Sequence, residues 1–309
     1  MTRQSIIIAL IAGATTVVLL AAGLTSRTLA LPLMILAPLP IAIAGLGWGS
    51  SMGFVATFFA FIGATYFSSL MGGLLFAGIL GLPIAYLVHL VGLSRQDGPN
   101  QPMEWFPEST ILWRAISIGG AVIGLAFVFS GFNVDDTIKR GLEVFADSLK
   151  QLDDTNRKTM EEAIAYQIRL TPYTLPMAWL LTIWLNLWLG IRVTKTSQLF
   201  HRPSFRLENA QLPFAAILVL AAGIILGGIS SPLSLLGASF AGIILMAIIM
   251  LGFNTVHIIT SRVSMRIMLL TMLYMTTIFF AFPILLVLGI GLADLFFKIR
   301  QRYRLTNPI

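Results

Sequence analysis

Long apolar runs alternate with short polar patches along the chain, and nearly every run is long enough to leave water altogether. About 20 apolar helical residues, each rising about 1.5 Å, match the hydrocarbon core of a bilayer. The first run covers Ile6 to Leu24 and ends in a turn at Ser26, Arg27 and Thr28. It is longer than the apolar part of a signal peptide and further spans follow closely, so it reads as a retained first span. The second run, Leu29 to Leu46, carries Pro32, Pro38 and Pro40, which remove backbone donors and predict a kinked or broken helix. Gly45, Gly47, Gly49 and Ser50 mark a turn into the third run, Met52 to Ser69. Gly72 and Gly73 mark the next turn, and the fourth run, Leu74 to Val91, includes Gly78, Gly81 and Pro83. With almost no loop between them, these runs predict one hairpin-rich unit, residues 1–92.

A polar stretch, Ser94 to Ser109, leads into a fifth run, Ile111 to Phe129, and the two make a unit over residues 93–132. Residues 133–170 differ in kind. They hold eight of the thirteen acidic residues, and Ile138, Leu142, Phe145, Leu149 and Leu152 recur at the spacing of one helical stripe. Thr159 and Glu162 have capping-box spacing, which predicts a second short helix starting near Thr159. This insert reads either as a cover or docking face over the mouth of a bundle, or as a solvated helix resting on neighbouring spans. The last unit, residues 171–309, holds a sixth run at Thr174 to Leu189 with Trp179, Trp184 and Trp188, a seventh at Leu212 to Leu226 and an eighth at Leu235 to Val256. Ser230, Ser231 and Pro232 separate the last two. The closing stretch, Ile267 to Phe297, is about 31 residues, or roughly 46 Å as one straight helix, longer than the core of about 30 Å. Pro283 near its middle allows a break.

Either one strongly tilted span or two short ones would fit, and charge helps to choose between them. If the N-terminus is cytoplasmic, alternating spans place Arg95, the basic loop Arg192, Lys195, Arg202 and Arg206 (with Glu208 offsetting one charge), and Arg262 and Arg266 all inside, and the acidic insert outside. The tail Lys298, Arg300, Arg302 and Arg304 belongs inside too, which favours a broken pair or a re-entrant hairpin over a single crossing. The fold expected is an all-α polytopic transmembrane bundle of about 9–10 membrane segments with an extramembrane amphipathic insert.

Composition agrees: 57% of the 309 residues are hydrophobic and 11% charged, against about 25% charged in a soluble domain. No cysteine is present, which excludes a disulfide framework, a thiolate nucleophile and Cys-based metal sites. His89, His201 and His257 form no spaced metal motif. The net charge of +7 sits in short loops and the tail, with no basic stripe interleaved with aromatics, so nucleic acid is not an expected partner. There is no Walker A sequence, and the glycines from Gly45 to Gly53 lack the Lys-Ser/Thr that closes a phosphate cradle. No hydrolytic constellation or nucleophile elbow is present, so no catalytic residue and no cofactor is assigned.

Five polar residues stand out as candidate ligand-binding groups. Asp294 is the only acid inside an apparent span, which marks either a functional group or an i,i+4 partner of Lys298. Arg114 opens the fifth span beside Trp113 and reads as an interfacial anchor or as a site for an anion. Asn186, Asn254 and His257 line a pocket or hydrogen-bond between helices. Gly120 and Gly124, like Gly223 and Gly227, permit close helix approach.

The closing segment, Arg266-Ile267-Met268-Leu269-Leu270, then Leu288-Gly289-Ile290-Gly291-Leu292-Ala293-Asp294, then Phe297-Lys298-Ile299-Arg300, resembles the YybS-like family of bacterial polytopic membrane proteins. That family is thought to be distantly similar to the substrate-binding membrane subunits of energy-coupling vitamin transporters. The resemblance implies a bacterial inner-membrane protein that binds or transports a small molecule or lipid. It carries no catalytic motif, and the extra spans and the acidic insert depart from a minimal six-span subunit. Expected partners are membrane lipids, a small-molecule substrate and other membrane or envelope proteins. A structural or assembly role in the envelope is the alternative, and an enzyme acting on a lipid-linked substrate would need a clustered acid, His or Arg site.

Overall fold

The computed structural model describes residues 2–26, 28–98, 101–203, 205–206, 209–229, 232–280 and 282–306. Arg27, Glu208, Ser230 and Ser231 therefore lie outside the described residues, as does the side chain of Arg304. The protein is a helical bundle. Its helices are α1 (Arg3–Thr25), α2 (Ala30–Leu36), α3 (Leu39–Trp48), α4 (Ser50–Phe67), α5 (Leu70–Phe76), a π-helical turn (Ala77–Gly81), α6 (Leu82–Gly92), α7 (Glu108–Phe129), α8 (Val134–Val144), α9 (Ala146–Leu149), α10 (Asp154–Thr196), α11 (Ala215–Gly227), α12 (Leu233–Ile259), α13 (Arg266–Phe279), α14 (Phe282–Phe297) and α15 (Ile299–Thr306). The only strands among the described residues, β1 (Ser94–Arg95) and β2 (Glu104–Trp105), form a small antiparallel ribbon between α6 and α7.

Among the described residues, seven helical segments are long and apolar enough to cross a membrane, α2–α3 and α5–α6 each counting as one, and α11, α13 and α14 are shorter apolar helices. The organising centre is α12, which packs on α7, α10, α11 and α14. Its apolar stretch is 72% buried, against 28% for α1. The outer helices instead present Ile7, Ile11, Val18 and Leu24 outward, as expected where the surrounding medium is hydrocarbon. Small residues let the central helices meet closely: Gly120 and Gly124 of α7 lie against Phe240 and Leu236 of α12, and Gly223 of α11 lies against Gly237. Gly49, at φ +102°, makes a one-residue turn between α3 and α4, a conformation that only glycine adopts without strain.

Contacts fix the direction of each helix. Gly13 lies against Ala56 and Ala60 while Val17 meets Gly63, so α1 and α4 are parallel. Tyr173 meets Gly242 and Trp184 shares a cleft with Asn254, so α10 and α12 are parallel. Gly252 meets Val287 and Ile248 meets Gly291, so α14 is antiparallel to α12. The α3–α4 turn, the β1–β2 ribbon and the α10–α11 loop consequently gather at one end of the bundle. The insert between α7 and α10 lies at the other.

Three expectations are corrected. No separate helix starts near Thr159. A single helix, α10, is capped by Asp153 and runs 43 residues from Asp154 through the sixth span, about 64 Å. Pro172 and Pro176 lie inside it without ending it. The apolar stripe of the insert is not continuous either, because the chain leaves helical geometry at Phe145 between α8 and α9. Leu149 is buried while Phe145 is 51% exposed, and Gly141 of α8 rests on Ile164 and Ile168 of α10. Finally, Asp294 pairs with Arg300 rather than Lys298. Lys298 adopts φ +52° and turns the chain so that Arg300 folds back, its Nε 2.6 Å and its backbone N 2.8 Å from the Asp294 carboxylate oxygens. The closing stretch is divided, as its length and Pro283 suggested, into α13 and α14.

Carbonyls at or beside the proline breaks find side-chain donors. Pro83 removes the amide that would bond the Ile79 carbonyl, and Trp179 Nε1 donates to it at 2.5 Å. Pro176 does the same to Pro172, whose carbonyl lies 3.4 Å from the Ser239 hydroxyl. Ile35, at the break before Pro38 and Pro40, accepts from Asn186 Nδ2 at 2.6 Å. Replacing Asn186 by the near-isosteric Leu leaves that carbonyl unpaired. We expect a loss of about 1–2 kcal/mol, read as earlier unfolding in a detergent–SDS titration; an unchanged midpoint would show that the carbonyl is satisfied otherwise.

Candidate functional site

The two interrupted segments face each other across α10. A helix that stops at Leu36 and restarts at Leu39, opposite one that widens into a π-turn, cannot keep its ridges in its neighbours' grooves. The result is a cavity of about 520 Å3 bounded by α2, the α5–π segment, α7 and α10, within the size range of small-ligand sites. Ile35 and Ile79, the residues at the two breaks, both line it, as do Ala126 of α7 and Ala178, Trp179 and Thr182 of α10. Of its few polar groups, Trp179 Nε1 donates to the Ile79 carbonyl and the Ser130 hydroxyl to the Phe127 carbonyl, while Thr182 also contributes to the lining. What remains is an apolar wall suited to a hydrocarbon chain, ring or other uncharged body. One turn beyond Thr182, Asn186 is fully buried, and its Oδ1 has no hydrogen-bond partner.

At the basic end the chemistry changes. Arg202 is 5% exposed and donates to Glu108 Oε1 at 2.7 Å and to the Phe106 carbonyl at 3.1 Å. Its guanidinium lies 5.2 Å from the Phe205 ring centre and 5.8 Å from that of Trp105. Burial pushes its pKa below the ordinary value and Glu108 offsets part of that; an arginine remains charged at neutral pH all the same. This latch ties the α10–α11 loop to the start of α7. Beside it, Asn209 and Gln211 share a cavity of about 310 Å3 with Asp294, Arg300 and Gln301.

The five sequence candidates are not brought together. Asn186 braces the α2–α3 break. Asp294, 6% exposed, is held by Arg300 in the cavity at the C-terminal helix. His257 Nε2 is 2.7 Å from the Tyr274 hydroxyl, and Phe253 stacks on the Tyr274 ring, which fastens α13 to α12. Asn254 lines a separate cleft of about 400 Å3 with Trp184 and Trp188, and its Nδ2 is buried without a partner. Arg114 is exposed on α7 and borders none of these cavities. Among the described residues, no group of three His, Cys, Asp or Glu side chains is placed to hold a metal ion. The residues around the apolar cavity escaped sequence reasoning because they resemble ordinary core; the only signal was the prolines at 38, 40 and 83, which mark the breaks.

No family model, curated protein or solved structure matches the chain.

The Arg202–Glu108 latch makes a direct prediction. Arg202→Met strands a largely buried carboxylate and is expected to destabilise the protein by about 3–5 kcal/mol. Adding Glu108→Met should recover most of that loss. Thermal unfolding in detergent measures both, and equal stabilities of the single and double variants would refute the coupling.

Proposed function

We propose that the chain is a membrane-embedded component that binds or transports a small apolar molecule or a lipid. The observation that carries this reading is the cavity of about 520 Å3 between two broken helices and α10. Interrupted helices inside a bilayer are tolerated where they are buried in protein or line a cavity, and here both breaks line the same one. A structural or assembly role in the envelope is the second reading. It is favoured by the insert, where Val144 and Phe145 are 79% and 51% exposed at the end opposite the basic loops.

The membrane proposed is the bacterial inner membrane, with both termini and the basic end in the cytoplasm. Support comes from the clustering of Arg192, Lys195, Arg202 and Arg206 at one end of the bundle, since cytoplasmic loops carry the excess of Lys and Arg.

Filling the cavity tests the binding reading. Ala126→Trp is expected to reduce any co-purifying apolar ligand about tenfold, judged by mass spectrometry of the extracted protein. Undiminished recovery, or a ligand-free protein that instead retains a stoichiometric partner chain, would favour the second reading. Orientation is directly measurable because the native chain has no cysteine. An impermeant thiol reagent applied to intact cells should label Ser148→Cys in the insert and spare Thr196→Cys at the end of α10; the reverse pattern would invert the topology.

A further inference from the structure

Along α10, Leu181, Leu185, Trp188 and Arg192 recur at spacings of four, three and four and so share one face of the helix. Leu181, Leu185 and Trp188 are 49%, 36% and 51% exposed, and Arg192 lies 5.8 Å from the Trp188 ring centre. Read toward the basic end, the order is hydrocarbon, hydrocarbon, interfacial aromatic, cation. A membrane phospholipid has the same order from chain to headgroup. Next to this seam, between α10 and α12, lies the cleft of about 400 Å3 that Asn254, Phe205 and Arg206 close.

An aromatic belt with snorkelling arginines would account for the seam alone. It does not account for Asn254. This side chain lines the cleft with its Nδ2 buried and unpartnered, a condition that destabilises a protein until an acceptor arrives. No carboxylate among the described residues lines the cleft to supply one.

We propose that this cleft binds an anionic phospholipid, with Arg206 and the Asn254 amide holding its phosphate and with Leu181 and Leu185 against an acyl chain. Arginine suits the task because its planar fork donates to two phosphate oxygens at once. Arg192, drawn over Trp188, adds positive potential at the mouth, where a negative headgroup gains from it and a zwitterionic one does not. The site is independent of the apolar cavity, which opens on the other side of α10 and is lined there by Ala178, Trp179 and Thr182.

The test is native mass spectrometry of the full chain released from vesicles of equal phosphatidylglycerol and phosphatidylcholine. The wild type should retain phosphatidylglycerol selectively. Arg206→Gln should weaken that retention about tenfold, by loss of a charge-assisted contact, and Asn254→Leu about three- to fivefold. Arg206→Lys, which keeps the charge and loses the fork, should fall between wild type and Arg206→Gln. Arg114→Gln, exposed on α7 away from the cleft, should leave retention unchanged, and so should Ala126→Trp, which separates this site from the proposed apolar cavity. The proposal is overturned by equal retention of both lipids, by an equal loss in Arg114→Gln, by full retention in both Arg206→Gln and Asn254→Leu, or by displacement of the lipid with millimolar inorganic phosphate, which would identify a free anion as the ligand.

Discussion

A backbone carbonyl that loses its helical partner inside a bilayer has no water to turn to, and this constraint shapes the whole protein. Each unpaired group in hydrocarbon costs several kcal/mol. Proline nevertheless interrupts the helical ladder at Pro38 and Pro40, at Pro83 and at Pro176. At three of these sites a side chain from another helix reaches a backbone carbonyl: Asn186 at Ile35, beside the α2–α3 break, Trp179 at Ile79, and Ser239 at Pro172. Trp179 and Asn186 are seven residues apart and so lie on the same face of α10, which turns that helix into a brace for two broken segments at once. Ser239 then ties α10 to α12 at its own proline. The first two hydrogen bonds connect the N-terminal hairpins to α10, and both breaks accordingly lie beside that helix.

The same arrangement makes the cavity. Two continuous helices would close on α10 with interdigitated side chains, as the glycine contacts of α12 with α7 and α11 show. Two broken ones cannot, and the space between them is lined by the residues at the breaks themselves. Satisfying Ile79 with an indole has a further consequence: the ring that donates the hydrogen bond also forms part of the cavity wall, so its polar atom is hidden and its apolar surface faces the space. The cavity is therefore apolar as a result of how the breaks are repaired.

Much of the architecture could be read from the chain, because the thickness of a bilayer imposes a length that apolar runs either meet or miss. The runs, the two Gly-x-x-x-Gly contacts and the division near Pro283 are all visible in the amino-acid order. What could not be read depends on tertiary partners. The sequence predicts a short helix from near Thr159 and a separate span from Thr174, yet α10 runs through Pro172 and Pro176 without ending, with the Ser239 hydroxyl of α12 against the Pro172 carbonyl. The stripe from Ile138 to Leu152 has ideal spacing, but the chain bends at Phe145 where α8 turns onto Ile164 and Ile168. Asp294 has a lysine four residues on, and the left-handed conformation of Lys298 hands the carboxylate to Arg300 instead. In each case a local rule was overridden by a contact distant in sequence or by one residue's backbone angle.

α10 also carries the polarity of the molecule along its length. Its first turns stand outside the apolar core and hold α8. Its middle supplies Trp179 and Asn186, and its last turns carry Trp188, Arg192 and Lys195 into the basic end. The two cavities lie on different sides of this helix, one lined by Trp179 and Thr182 and the other by Trp184 and Leu185. Asn186 links their environments through its fixed position: fully buried, it holds the α2–α3 break on one side while Trp184 and Leu185 lie beside it in sequence on the other. Any rotation of α10 about its axis that widened one cavity would pull Asn186 from Ile35 and Trp179 from Ile79 together. The hydrogen bonds that repair the breaks therefore also hold α10 in one orientation, and they set the shape of the apolar cavity.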